Sequence, residues 1–164
     1  MMKRFIFFYI LYMLIAFALF GYGPIATALN INHLYTLAIT NISGYLINTV
    51  GIEAHISDVL IFMKNATLKV EFGCNGLEAI LLFSAAVLAY PATISQKLWG
   101  LMLGFFGIQF FNLIRIVVLG WVSEYHPEMF ETMHSYVTQS IMIVIAFITF
   151  LFYLYKVTPL PDEK

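Results

Sequence analysis

The chain of 164 residues is 62% hydrophobic and 10% charged, whereas soluble domains carry about 25% charged residues. This composition excludes an ordinary soluble domain and indicates an integral membrane protein. The net charge of −1 gives no electrostatic basis for binding nucleic acid. The single cysteine excludes an intramolecular disulfide, a CxxC redox pair and a thiolate metal site, and we expect neither a metal nor a cofactor.

Four segments are predicted to be transmembrane helices, each of which needs about 20 mostly apolar residues. They cover about 5–28, 76–92, 98–122 and 134–155 of a single polytopic domain, residues 1–164. The first segment also resembles a secretory signal peptide, since it follows basic residues and contains an Ala-x-Ala sequence. We interpret it as a retained anchor because three further apolar spans follow.

Basic residues in short loops predict the orientation of the spans. With four spans, one side of the membrane receives Lys3, Arg4, Lys97, Lys156 and Lys164. That side is predicted to be cytoplasmic, so residues 30–75 and 123–133 form an extracytoplasmic layer. We therefore expect a multi-pass protein of the cell (inner) membrane.

The extracytoplasmic layer begins with an amphipathic pattern. Between residues 31 and 50, apolar residues recur at helical spacing opposite a face of Asn, His and Thr. This pattern predicts a helix lying on the outer membrane surface and in contact with the lipid bilayer. A fifth span is the alternative, which the asparagines of this segment disfavour.

Two alternating stretches follow, at residues 52–57 and 67–72, and the sequence Lys64-Asn65-Ala66-Thr67 lies between them. This arrangement predicts a β-hairpin. The predicted fold class is therefore an all-α integral membrane protein, with about four transmembrane helices, an extracytoplasmic amphipathic helix and a short β-hairpin.

The segment VEFGCNGLEA, residues 70–79, contains the single cysteine, Cys74. Asn75 followed three residues later by Glu78 resembles a capping box and predicts that Asn75 begins a helix. Cys74 would then lie near free N–H groups and the positive end of the helix dipole, which lower a thiol pKa. The sequence therefore suggests a nucleophile, with a small buried hydrophobic residue as the alternative.

Polar residues within the third predicted span form a stripe of Gln109, Asn112 and Arg115. An arginine inside a span either extends towards the lipid headgroups or faces the interior of the bundle. We expect Arg115 to face the interior, where it could bind an oxyanion or a carboxylate and where Asn112 could orient it.

His134 opens the fourth predicted span. The predicted topology brings it to the same leaflet as Cys74 and Arg115. A thiolate, an imidazole and a guanidinium together suffice for acyl transfer: the cysteine attacks a carbonyl, the histidine protonates the leaving amine and the arginine stabilises the oxyanion.

Three blocks, GCNGLEA, IQFFNLIRIVVLGW and MHSYVTQSIMIV, resemble the Cys, Arg and His blocks of the exosortase/archaeosortase family, most closely its small exosortase H subgroup. The resemblance covers about residues 70–151. It implies a helical membrane bundle and a cysteine protease-transpeptidase with Cys74, Arg115 and His134 as its catalytic residues. The implied partners are membrane-tethered proteins whose C-terminal sorting signal has a short motif, a transmembrane helix and a basic end.

Two other classes of function remain. A non-catalytic membrane adaptor or assembly factor would use Arg115 to pair with an acid such as Glu78. A small transporter would use the polar stripe to line a path. The sequence identifies neither the recognition motif nor the acceptor, and it leaves the oligomeric state open.

Overall fold

Helices dominate the part of the chain that the structure, a computed structural model, describes, which is residues 2–21 and 30–157. The elements in chain order are α1 (Met2–Ala16, continued by a π-helical turn, Phe17–Gly21), α2 (Ile31–Thr49), β1 (His55–Ser57), β2 (Leu60–Phe62), β3 (Thr67–Lys69), α3 (Leu77–Ala89), α4 (Ile94–Tyr125) and α5 (Pro127–Val157). The end of the first predicted span and its Ala-x-Ala sequence lie outside the described residues.

Three of the described helices are long and apolar enough to cross a membrane: Met2–Phe20, Ile94–Tyr125 and Pro127–Val157. The helix α3 is apolar but has only 13 residues, which corresponds to about 20 Å. A hydrocarbon core is about 30 Å thick. The predicted fold class, a helical membrane protein with a small β element, is confirmed, while a complete crossing by α3 stays a prediction.

The amphipathic helix α2 covers nearly the predicted residues and buries part of its polar face against the protein. Its buried residues are mostly small or polar: Thr36, Ile39, Thr40, Ser43, Gly44 and Ile47. Leu34, Ile42 and Tyr45 are exposed. A helix with an exposed apolar face and a polar face against its own protein is suited to the membrane surface.

The β element has three strands in the order β1-β2-β3, all antiparallel. The predicted hairpin is therefore wrong in its pairing: the two predicted strands lie at the edges, and the unpredicted strand β2 lies between them. Residues 60–62 are all apolar, and so short a run carries no period that distinguishes strand from helix. Asp58 adopts φ 55° in the tight turn between β1 and β2.

Two apolar clusters flank the segment that contains Cys74. The first joins the sheet to α2 and α4 through Ile47, Ile61, Leu68 and Ile116. The second joins α3, α4 and α5 through residues that include Phe83, Ile108, Met142 and Tyr153. The segment between β3 and α3, which contains Cys74, therefore lies where the sheet meets the helical bundle.

Candidate active site

Cys74 lies in a tight turn immediately before α3. The N–H groups of Cys74 and Asn75 both donate to the carbonyl of Glu71, at 2.8 and 3.0 Å. Gly73 and Gly76 enclose the pair and adopt φ values of 93° and 82°. Glycine adopts this left-handed region without the steric penalty of a Cβ, so these two positions allow the chain to reverse around the thiol.

The predicted capping box is wrong. The N-cap of α3 is Gly76, and no side chain caps it. The Asn75 amide oxygen accepts a hydrogen bond from Leu77 N–H at 3.0 Å, so Asn75 still binds the start of the helix from one residue further back. Glu78 lies in the first turn of α3 without the predicted capping role.

Asn75 instead connects the turn to α2. It is fully buried, and its amide nitrogen donates to Asn32 Oδ1 at 3.1 Å and to Thr36 Oγ1 at 2.8 Å. Buried polar groups need such partners because an unpaired one costs about 1–3 kcal/mol. The role of Asn75 in this structure is to hold the thiol-bearing turn against the surface helix.

Arg115 is buried in α4, as predicted, and binds two other segments. Its Nε donates to Thr138 Oγ1 of α5 at 3.0 Å, and one terminal nitrogen donates to the carbonyl of Gly73 at 3.3 Å. No ion pair between Arg115 and Glu78 occurs among the described residues. The guanidinium has five N–H donors, so three remain for a ligand after these two bonds.

The other two residues of the polar stripe face the start of α3. Gln109 and Asn112 are buried, and both side chains lie against Gly76, where an added Cβ would come within 2.6 to 2.9 Å of them. Gln109 accepts a hydrogen bond from the Tyr35 hydroxyl at 2.8 Å. Among the described residues Asn112 makes no side-chain hydrogen bond. The expectation that it orients Arg115 is therefore not met in this structure.

His134 lies in the π-helical part of α5, Met133–Thr138. π-Helical turns inside α-helices occur frequently at functional sites. The imidazole is half-buried and stacks on Phe130, with ring centroids 5.5 Å apart and an interplanar angle of 8°. Thr138, which binds Arg115, also donates to the His134 carbonyl at 3.3 Å. One short segment of α5 thus supplies the imidazole and supports the guanidinium.

A cavity of about 690 Å³ brings the three predicted residues together. Cys74, Arg115 and His134 all line it, with Glu71 and Glu78. Its other lining residues include Thr67, Leu68 and Lys69 of β3, so the sheet forms one wall. In the described parts of the chain the thiol and the imidazole make no hydrogen bond, although catalytic hydrogen bonds often form only when substrate binds.

The electrostatic environment of Cys74 differs from the sequence prediction. Burial raises the pKa of the thiol, the nearby Arg115 charge lowers it, and the Glu71 charge raises it. Burial is the largest of these effects, because a thiolate loses its hydration there. The expected lowering of the thiol pKa by a helix N-terminus is therefore wrong, because burial acts in the opposite direction and is the larger effect.

A smaller cavity of about 180 Å³ adjoins the first between α3 and α5. Gly73, Glu78, Arg115 and Gln139 line both cavities. The remaining residues of the smaller one are apolar or glycine: Gly76, Ala79, Leu82, Met142, Ile143 and Ala146. The polar site therefore continues into an apolar space within the helical bundle.

Sequence reasoning missed the contact that holds the sheet over this site. Glu124 is buried at the end of α4, and its two carboxylate oxygens accept hydrogen bonds from the Asn65 backbone N–H and side-chain amide, both at 2.9 Å. Asn65 lies in the turn between β2 and β3, so this paired contact fixes β3 above Cys74. Glu124 lies in the loop predicted at residues 123–133, and no sequence pattern there indicates such a partner.

Comparison with known proteins identifies the family of the chain. The transmembrane exosortase family matches residues 2–152. A protein of Methanocaldococcus jannaschii named "Probable archaeosortase E" is 27% identical over 123 residues, which are 74% of this chain and 60% of that protein. The chain thus spans less than two thirds of that relative's length. No solved structure matches the chain significantly. Because the family match runs from α1 into α5, the protein belongs to the transmembrane exosortase family.

Proposed function

We propose that the protein is a membrane-embedded cysteine peptidase or transpeptidase that cleaves C-terminal sorting signals of exported proteins. Membership in the exosortase family supports the processing of such signals in the membrane. The observation that carries the chemical assignment is the shared cavity: Cys74, Arg115 and His134 come from three separate segments and line one space. Cys74 is the proposed nucleophile, His134 the proton carrier and Arg115 the oxyanion donor.

The reaction begins with transfer of the Cys74 thiol proton to the imidazole of His134 as the sulfur attacks the scissile carbonyl carbon. The carbonyl oxygen gains negative charge, which the free N–H groups of Arg115 stabilise. The tetrahedral intermediate breaks its C–N bond, and the amine leaves with the proton from His134. Water or an acceptor amine then attacks the thioester and returns a proton to the thiol.

His134 lines the same cavity as Cys74, and burial raises the pKa of that thiol, so we assign His134 the roles of both base and acid. A thiol that is already ionised needs only an acid for the leaving amine, whereas a neutral thiol also needs a base to accept its proton. His134 can do both because its ordinary pKa lies near neutrality. Glu71, Glu78 and Asn75 have supporting roles: the first two add charge to the cavity, and Asn75 holds the turn.

Helix dimensions support a position for the thiol close to one surface of the membrane. Trp99 and Trp121 of α4 are separated by about 33 Å of helix, close to the thickness of a hydrocarbon core. Arg115 lies about 9 Å of helix from Trp121. Arg115 donates a hydrogen bond to the carbonyl of Gly73, which directly precedes Cys74. This contact supports a similar depth for Cys74 and Arg115.

The charge distribution supports a site near the extracytoplasmic side. Lys3, Arg4, Lys97 and Lys156 belong to the end of the bundle opposite Cys74, and cytoplasmic loops carry an excess of Lys and Arg. A substrate whose sorting signal includes a transmembrane helix would reach this depth through the bilayer. The apolar cavity beside Arg115 would then accommodate side chains next to the scissile bond.

Cells that contain the chain and a co-expressed substrate with a sorting signal are expected to release that substrate without its tail. The intact mass of the product identifies the bond that was cut, and any added mass identifies an acceptor. Cells that lack the chain provide the control. Identical substrate masses in the two strains would contradict the proposal.

A membrane-impermeant maleimide is expected to label Cys74 in intact spheroplasts. Labelling should be faster as the pH rises, because the thiolate is the reactive form of the thiol. Glu71→Gln removes a charge that raises this pKa, so labelling at fixed pH should be faster. Arg115→Gln removes a charge that lowers it, so labelling should be slower. Mass spectrometry over time measures the labelling rate of each variant, and the direction of each change tests the assignment of charges.

Glu128→Gln provides the matched control, since Glu128 is exposed and does not line the cavity. Its labelling rate should equal that of the wild type. Labelling that requires permeabilised membranes would contradict the proposed sidedness. A reversed order of the Glu71 and Arg115 variants would contradict the assignment of charges around the thiol.

A further inference from the structure

A cationic cavity lies at the end of the bundle away from Cys74. Its volume is about 600 Å³, and the N-terminal part of α1, the end of α3 and Lys97 of α4 line it. Arg4 and Lys97 are its charged residues, and neither Asp nor Glu lines it. A cavity with two cations and no described acid is suited to an anion.

Both cations retain unused hydrogen-bond donors. Lys97 Nζ donates to the Leu88 carbonyl at 2.6 Å, one of the carbonyls left unpaired at the end of α3. An ammonium group has three N–H donors, so two remain. The Arg4 guanidinium lies 5.7 Å from the centroid of the Phe8 ring. In the part of the chain that the structure describes, Arg4 makes neither an ion pair nor a hydrogen bond.

An apolar cavity of about 360 Å³ adjoins the cationic one. Phe5, Tyr90 and Pro91 line both. The remaining lining residues of the apolar cavity are Met2, Phe150 and Leu154, and none of its lining residues is charged. The two cavities together therefore offer a site for a negative group next to a site for a hydrocarbon chain.

We propose that these cavities bind one anionic phospholipid, whose phosphate lies between Arg4 and Lys97 and whose acyl chain follows the apolar wall. The complementary charge and the adjoining apolar space select this occupant. The basic end of a substrate tail would meet two like charges, and a free phosphate would leave the apolar cavity unused. The proposal is independent of the catalytic assignment.

The bound lipid has a structural consequence for α1. None of the residues of α1 is buried, and its main described neighbour is α3. A phospholipid between Arg4, Lys97 and Leu154 would contact α1, α4 and α5 together. It would therefore tie a loosely packed helix to the bundle and raise the melting temperature.

The test uses the purified full chain with phosphatidylglycerol and phosphatidylcholine, monitored by native mass spectrometry and thermal unfolding. The wild type should retain phosphatidylglycerol in preference and unfold at a higher temperature with it. Arg4→Gln should weaken retention about fivefold, the effect expected of one cation at an anionic lipid. Lys3→Gln is the matched control, because Lys3 is exposed and does not line the cavity.

Several results would overturn the proposal. Equal retention of the two lipids by the wild type would exclude an anion-selective site. Equal weakening by Lys3→Gln and Arg4→Gln would indicate general surface charge. Displacement by inorganic phosphate at matched concentration would indicate a phosphate site without lipid. If Arg4→Gln does not fold, Lys97→Gln and the lipid preference of the wild type decide the question.

Discussion

Replacing Cys74 by alanine is expected to abolish processing of a co-expressed tailed substrate, with a loss of more than about 10⁴-fold. The alanine removes the only thiol in the chain, so no covalent intermediate can form. Because the side chain is small and buried in a turn held by backbone hydrogen bonds, the variant should still accumulate in the membrane. Immunoblotting of substrate and enzyme from the same membranes measures both quantities.

Substitutions of His134 or Arg115 should reduce substrate processing less than the loss of Cys74 does. His134→Gln is expected to reduce processing about 10²–10⁴-fold, the range for a general acid or base. Arg115→Gln is expected to reduce it about 10²–10³-fold, the range for one oxyanion donor. Arg115→Lys separates charge from position, since lysine keeps the charge but cannot bind Gly73 and Thr138 with the same planar group.

Ser140→Ala is the control on the same helix as His134, because Ser140 is exposed and lies outside both cavities. It should process substrate at the wild-type rate. Normal processing by Cys74→Ala would exclude Cys74 as the nucleophile. Normal processing by all three variants together would support the non-catalytic adaptor.

Much of the site was predictable because each signal was local or depended on a simple rule. A lone cysteine between glycines, an arginine inside an apolar span and a histidine at a span boundary are visible in the sequence. The counting of basic residues in loops, which uses none of these three, brought them to one leaflet. The structure agrees that one cavity contains all three.

The partners of these residues were not predictable. Arg115 binds Thr138 and the Gly73 carbonyl, and both contacts depend on how α4, α5 and the turn pack. Asn75 looked like a helix cap, but its amide group forms hydrogen bonds with residues of α2 that are distant in sequence. Sequence patterns describe one segment at a time, so they assign a polar residue a role within its own segment. They do not detect hydrogen bonds to residues that are distant in sequence and close only in the folded protein.

The thiol pKa illustrates the same limit for electrostatics. The position of Cys74 before a helix predicts a lowered pKa, because the dipole and free N–H groups favour the thiolate. Burial acts in the opposite direction and is the larger effect. The extent of burial depends on β3, α4 and α5, which form the cavity around the thiol, and no sequence pattern near residue 74 reports it.

Gly76→Ala is expected to be the most destabilising single substitution in the site, with a loss of about 3 kcal/mol in the free energy of unfolding. The backbone at Gly76 has φ 82°, where a Cβ costs about 1–2 kcal/mol. The added carbon would also lie 2.6 Å from Gln109 Oε1 and 2.8 Å from Asn112 Nδ2, and overpacking costs about 1–3 kcal/mol. Thermal unfolding in detergent and the processing assay measure the effect.

Alanine substitutions at two other glycines separate the backbone penalty from the packing penalty. Gly51 has φ 87° with nothing within 4 Å of an added Cβ, so Gly51→Ala reports the backbone penalty alone. Gly107 has neither a positive φ nor an atom within 4 Å of an added Cβ. Gly107→Ala should therefore be neutral or should stabilise the helix by up to about 1 kcal/mol. If Gly76→Ala loses no more stability than Gly51→Ala, the close packing of α3 on α4 does not position the thiol. If packing is the cause, shortening Asn112 to alanine should restore part of the loss, because contacting residues are energetically coupled.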